Sequence, residues 1–186
     1  MGGPAQSALE TLEVKGRAPK TGYERAEFGD GWGEVHGCDV RNVILYRDLM
    51  NVRVGDDCLI QSGTLQDLYT GDTIQFSRSN ASAVQIDHVV ALSDAWQKGA
   101  QQLDSSTRQQ FANDPLNLLA VDGPANQEKG DGDAATWLPA NTSFRCEYVA
   151  RQIAVKQKYQ LWVTQAERDA MQRVLSSCPN QILPTP

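Results

Sequence analysis

No stretch of apolar residues in this chain approaches the ~20 needed to cross a bilayer, so a membrane span is set aside at the start. An excess of positive charge is missing too: 17 basic residues against 23 acidic ones leave a formal net charge of −6. A protein that coats nucleic acid needs a concentrated basic face, and that class is disfavoured. An enzyme that touches a few phosphates around one metal ion is not, because the net sign does not report on local clusters. No C-x-x-C pair occurs among Cys38, Cys58, Cys146 and Cys178, which argues against a zinc knuckle. Internal repeats, coiled-coil heptads and low-complexity blocks are also absent. What is left, 186 residues with 40% hydrophobic and 22% charged side chains, suits one domain with a proper core.

The even, widely spaced cysteine count reads as two disulfides formed in an oxidising compartment, the alternative being four buried thiols. The pairing expected is Cys38 with Cys58, between an early helix and the strand region after it, and Cys146 with Cys178, tying two consecutive helices. Met1-Gly2-Gly3 has the look of an added leader, so a secreted or extracytoplasmic location with a removed export signal is the expectation.

Residues 1–37 are rich in glycine and charge and read as an irregular, partly strand-like entry segment. From Asp39 to Met50, Val43, Ile44, Leu45 and Leu49 fit a short helix with Asp39 as N-cap. Residues 58–78 alternate weakly around Tyr69-Thr70-Gly71-Asp72, a turn between two strands. Ala83–Leu92 is the most strand-like stretch, followed by short helices over Ser93–Gly99 and Ser105–Phe111. Leu116–Val121 is a second buried strand, stopped by Gly123-Pro124, with a helix from about Ala125. Phe144, Tyr148, Val155 and Tyr159 share a helical face. Thr164-Gln165-Ala166-Glu167 is a capping box for a last helix that ends at Cys178-Pro179, and residues 179–186 read as a flexible tail.

Three pieces stand in order on that strand, strand, helix frame: Ile86-Asp87-His88, Leu116-Asn117-Leu118 and Asn126-Gln127-Glu128-Lys129-Gly130-Asp131. In order and context they resemble the HNH, or ββα-metal, nuclease motif: Asp-His on one strand, Asn-Leu at the next, Asn-x-x-Lys-Gly on the helix. The segments VQIDHVVALSDAW, FANDPLNLLAVDGPANQEKGD and WLP are similar to the DUF1524 branch, related to the C-terminal domain of GmrSD restriction enzymes, closest in style to secreted actinobacterial members. The likeness runs from Cys38 to Cys178. It implies an α+β fold: one nuclease domain over 38–178 with a ββα-metal (His-Me finger) core at about 84–138, an irregular N-terminal segment and C-terminal helices.

The resemblance also implies a chemistry. Phosphodiester hydrolysis needs a deprotonated water, cover for charge on phosphorus, and help for the departing 3′ oxygen. A neutral imidazole can take the water proton near pH 7, the role that falls to His88. A hard divalent cation prefers oxygen ligands, and Asp87 and Asn126 supply a carboxylate and an amide carbonyl. An amide in place of imidazole at the third motif position favours magnesium, with manganese able to substitute. Strand alternation sends Asp87 and His88 to opposite faces, and the family implies an irregular strand to resolve this. Asn117 holds the hairpin and orients the histidine. Lys129, one turn from Asn126, is assigned to the substrate phosphate, the plain alternative being an exposed lysine without a role. Arg78 is a further phosphate candidate and Arg145 a weaker one; Asp131 caps or supports the helix. Ala91 stands where many relatives have proline.

The bland readings are a structural histidine at His88, a solvating charge at Asp87 and a helix cap at Asn126; the agreement of all three pieces outweighs them. His36 is read as surface or structural, and Trp96, Trp137 and Trp162 as core. The resulting expectation is a metal-dependent endonuclease of low sequence specificity, cutting DNA, with RNA as a further candidate substrate, to 5′-phosphate and 3′-hydroxyl ends, with nucleic acid as substrate and no obligate protein partner. The rival class is a nuclease-derived binding or envelope-associated module with a vestigial metal site.

Overall fold

The computed structural model describes residues 3–185; Met1, Gly2 and Pro186 lie outside them. Two hydrophobic cores are separated by one antiparallel pair of strands, β6 (Val84–His88) and β7 (Leu118–Asp122). Leu118 and Ala120 face one core, Leu119 and Val121 the other. Strand side chains alternate between faces, so a strand buried on both must be apolar throughout, as Leu118–Val121 is.

The smaller core lies between β6–β7, helix α2 (Val40–Asp48) and a three-stranded antiparallel sheet of β3 (Met50–Val54), β4 (Ile60–Gln66) and β5 (Thr73–Ser77). The expected N-cap holds: the Asp39 carboxylate accepts from the Asn42 amide at 2.8 Å. A short pair, β1 (Glu34–Val35) with β2 (Cys38–Asp39), precedes that helix. The larger core gathers α1 (Ala5–Thr11), α3 (Leu92–Trp96), α4 (Ser105–Ala112), α6 (Arg145–Tyr159) and α7 (Gln165–Ser176). Helix α5 (Gly123–Lys129) follows β7 directly. The fold is α+β with small sheets.

The structure departs from expectation at both chain ends. Residues 1–37 are not merely irregular: Ala5, Ala8, Leu9 and Leu12 recur at helical spacing and bury α1 and its end in the larger core. The tail is packed, with Ile182 bridged to Pro4 and Leu183 buried, because the start of the chain offers it backbone partners. Gly123 opens α5 as well as ending β7. A Cβ there would sit 2.2 Å from the Ser82 carbonyl oxygen, an approach only glycine permits.

Both disulfides form as paired from the sequence, Cys38–Cys58 and Cys146–Cys178, with Cα atoms 5.6 and 6.5 Å apart. The capping box is only half made. Thr164 Oγ1 accepts from the Glu167 amide at 3.2 Å, while the Glu167 carboxylate turns inward to the ammonium of Lys98 at 2.8 Å and of Lys156 at 3.2 Å.

Lys98, 0% exposed, also lies 2.8 Å from Asp94 and from Asp133, and Arg17 reaches both of those carboxylates. Burial opposes the charge on Lys98, but the three carboxylates outweigh it and hold the ammonium above its ordinary pKa. Burial likewise pushes Asp133 up, yet hydrogen bonds and charge from Lys98, with Arg17 and the Ala135 amide, hold it below the carboxylate range. A depressed carboxyl stabilises above its unfolded pKa and loses this as pH falls; a raised ammonium loses it as pH rises. The network therefore supports the fold between about pH 4 and pH 10. Removing one partner of a buried pair leaves charge unpaired, at about 3–5 kcal/mol. Lys98→Ala should lower unfolding stability at pH 7 by that order in denaturant titration, and a loss within the noise would remove the network from this role.

Candidate active site

His88 ends β6, and its ring is held from two sides. Nε2 lies 2.8 Å from the carbonyl oxygen of Ala112, the last residue of α4. Carbonyls in a final helical turn lack an intrahelical donor, so this one is free to accept. A carbonyl can only accept, so Nε2 carries the hydrogen and Nδ1 keeps its lone pair. On the flat of the ring stacks Trp32, centroids 5.5 Å apart and planes 19° from parallel. Burial drives the histidine pKa down to about 4, the nearby Arg25 and Lys129 charges add to this, and the Ala112 carbonyl opposes it. The imidazole is neutral from mildly acidic pH upward.

The β6–β7 register is unbroken from Val84↔Asp122 to His88↔Leu118, so the irregular strand implied by the resemblance is not present. Asp87 and His88 do take opposite faces. Both still border one cleft, on a strand that pairs with no strand but β7 among the described residues. That cleft, about 410 Å³, is also lined by Tyr23, Arg25, Arg41, Asn126 and Asp131.

On the Asp87 face lies α5. Asn126 Nδ2 donates to Gln85 Oε1 at 2.9 Å, which leaves Oδ1 without a protein partner among the described residues. One turn on, Lys129 Nζ sits 3.1 Å from Asp87 Oδ1, 3.0 Å from Oδ2 and 2.8 Å from the His88 carbonyl oxygen. The Tyr69 hydroxyl donates to the same carboxylate. Desolvation raises the Asp87 pKa, and Lys129 and Tyr69 oppose it. The assignment of Lys129 to a substrate phosphate is thereby corrected: its side chain is 0% exposed and its charge is spent on Asp87.

Arg78 is corrected as well. Its guanidinium donates to the Ile60 carbonyl at 2.8 Å and to Asn42 Oδ1 at 3.2 Å, tying β4 to α2, and it does not line the cleft. Asn117 is fully buried, accepts from Val90 N at 2.8 Å and donates to Val90 O at 3.3 Å. It fixes the chain leaving β6; the Ala112 carbonyl, not Asn117, sets the imidazole tautomer. Asp131 is exposed and faces Lys20 at 3.7 Å.

The sequence reading missed Trp32, Arg25, Arg41, Tyr69 and the Ala112 carbonyl. A single tryptophan flanked by Gly31 and Gly33 was the one visible signal, since Gly33 N donates to Asn113 Oδ1 and seats that loop beside α4. Arg25 makes no side-chain hydrogen bond or ion pair among the described residues, whereas Arg41 is shared with the carbonyls of Ala81 and Val84.

The profile of GmrSD restriction endonucleases, C-terminal domain, matches residues 39–174. The chain belongs to this family. A relative described as an uncharacterized secreted protein of Arthroderma benhamiae is 42% identical over 177 residues, covering 94% of this chain and 84% of the relative. No solved structure matches. The GmrSD C-terminal-like domain thus carries a nuclease-family motif on the frame just described.

As donors, the Asp87 carboxylate and Asn126 amide oxygen fit a hard dication that keeps several waters and takes few protein ligands. They do not fit a closed tetrahedral zinc site, and no group of three or more His, Cys, Asp or Glu is placed to hold a metal ion among the described residues. Lys129→Met should destabilise the domain by about 3–5 kcal/mol by stranding the buried Asp87 charge, read by denaturant titration. A variant as stable as the parent would return Lys129 to the surface role.

Proposed function

We propose that this domain is a metal-dependent endonuclease that hydrolyses phosphodiester bonds of DNA, and of RNA where the strand fits, with His88 as general base. The observation that carries the reading is the imidazole of a cleft-lining histidine whose Nε2–H is committed to the Ala112 carbonyl, which leaves Nδ1 as the unprotonated nitrogen. Nδ1 takes a proton from water, the resulting hydroxide oxygen bonds to phosphorus, and the bond from phosphorus to the 3′ oxygen breaks. That oxygen leaves with a proton from solvent, giving 5′-phosphate and 3′-hydroxyl ends. Asp87 and Asn126 would hold magnesium, or manganese in its place, which supplies positive charge against the phosphoryl and leaving oxygens. Trp32 excludes water from one ring face, and Arg25 meets a non-bridging phosphate oxygen. On this reading β6, β7 and α5 are the ββα-metal core, and Lys129 moderates how strongly Asp87 attracts the cation.

Secretion is part of the proposal: the relative carries that description, and two disulfides suit an oxidising compartment. One observation favours the second reading, a binding module with a vestigial metal site: the Asp87 charge is already neutralised by Lys129. Plasmid incubation separates the two. Cleavage should require magnesium or manganese and stop with chelator; a protein that binds plasmid without nicking it would support the module.

His88→Ala should lower turnover roughly 10²–10⁴-fold while metal titration by calorimetry stays near parental. Asn126→Ala should recover in part at high magnesium, because mass action replaces a missing ligand and not a missing base. Near-parental rates for His88→Ala would sink the assignment.

A depressed pKa leaves the base neutral above about 4. The acid limb of kcat/KM should therefore fall near pH 4. A midpoint near the ordinary histidine value of ~6.5 would show that burial does not depress the base in the working enzyme.

A further inference from the structure

A second cleft of about 570 Å³ opens between the ends of α6 and α7 and the segment 134–138. Its volume is in the range of small-ligand sites. Arg145, at the start of α6, and Arg173, in the last turn of α7, both line it, and no acidic side chain does. In a chain with 23 acidic and 17 basic residues, two guanidiniums on one acid-free surface make a local reversal of sign.

The donors there are unspent. Arg145 gives only Nε, to the Pro139 carbonyl at 2.7 Å, and its two terminal nitrogens have no partner among the described residues. Arg173 donates to none of those residues. Trp137 forms part of the wall, and its indole N–H is likewise unpaired, unlike those of Trp96 and Trp162. The Cys146–Cys178 disulfide ties the residue after Arg145 to the end of α7 and so fixes the two helix ends that carry the arginines. The cleft lines with residues distinct from those around His88.

We infer that this cleft is an anion site for a phosphate-bearing ligand, held by the free guanidinium edges of Arg145 and Arg173 against the Trp137 indole. Guanidinium forks match phosphate oxygens in pairs, and a flat indole edge suits the group the phosphate carries. The phosphate comes either from a nucleic-acid strand or from free phosphate. The inference does not depend on cleavage at His88.

The test uses the full chain in chelator, so that no turnover enters it. Inorganic phosphate is titrated against tryptophan fluorescence, and a labelled single-stranded oligonucleotide against anisotropy at several salt concentrations. Parent, Arg173→Gln, the Arg145→Gln/Arg173→Gln pair and Trp137→Phe are compared, with thermal melts to confirm folding. Arg173→Gln keeps the test valid if the pair misfolds, since Arg173 is exposed and supports no other residue. Loss of one charged contact should weaken binding roughly tenfold, and for the strand should reduce the salt slope by about 0.7 per contact. Weaker oligonucleotide binding with the lower slope upholds the site with a strand as source. A phosphate response lost in the variants, with oligonucleotide affinity unchanged, upholds it with free phosphate as source. Parental affinities for both ligands in Arg173→Gln overturn it.

Discussion

The ion pair between Lys129 and Asp87 is the contact on which the candidate site depends. It is buried, it joins the last residue of α5 to the penultimate residue of β6, and through the His88 carbonyl it also sets the end of the strand. Without an opposite charge, a carboxylate at that depth would protonate or draw in water. With it, the upward push of burial on the Asp87 pKa is opposed, Tyr69 is drawn to it from the β4–β5 turn, and three separate pieces of chain meet around one side chain. The cleft then inherits a fixed wall.

A similar device recurs away from the cleft. Lys98 collects carboxylates from α3, the 130s loop and α7, and Asp114 draws Lys158 and Tyr159 of α6 to the turn before β7. Buried charge of this kind adds little net stability compared with apolar packing, but it penalises any arrangement that separates the partners. The helices of the larger core carry short apolar faces, and these polar anchors specify how they meet.

Much of this was legible in the sequence. Leu116–Val121 announced a strand buried on both sides, Asp39 announced its helix, and the four cysteines paired as their spacing suggested. The three motif pieces converge, and the family match covers them. What was not legible depends on partners distant in the chain. Lys129 reads as an exposed lysine until Asp87 is placed beneath it, Glu167 as a capping residue until Lys98 is placed beside it. The carbonyl that sets the His88 tautomer has no sequence signature, because every residue carries one. Helix α1 was hidden in a segment whose composition is dominated by glycine and charge, and the tail found its partners only once α1 existed.

The loop carrying Trp32, and the turn with Arg25 before it, precede the span over which the family is recognised, residues 39–174. A boundary drawn by similarity alone cuts through the cleft. The recognised span supplies the imidazole and its oxygen neighbours; the stretch before it supplies the indole roof and a nearby positive charge. Removing that roof would let solvent onto the exposed flat of the ring, and the burial that depresses its proton affinity would be lost. The proton affinity of His88 is thus set partly from outside the matched span, and so can be tuned by changing residues that lie before it.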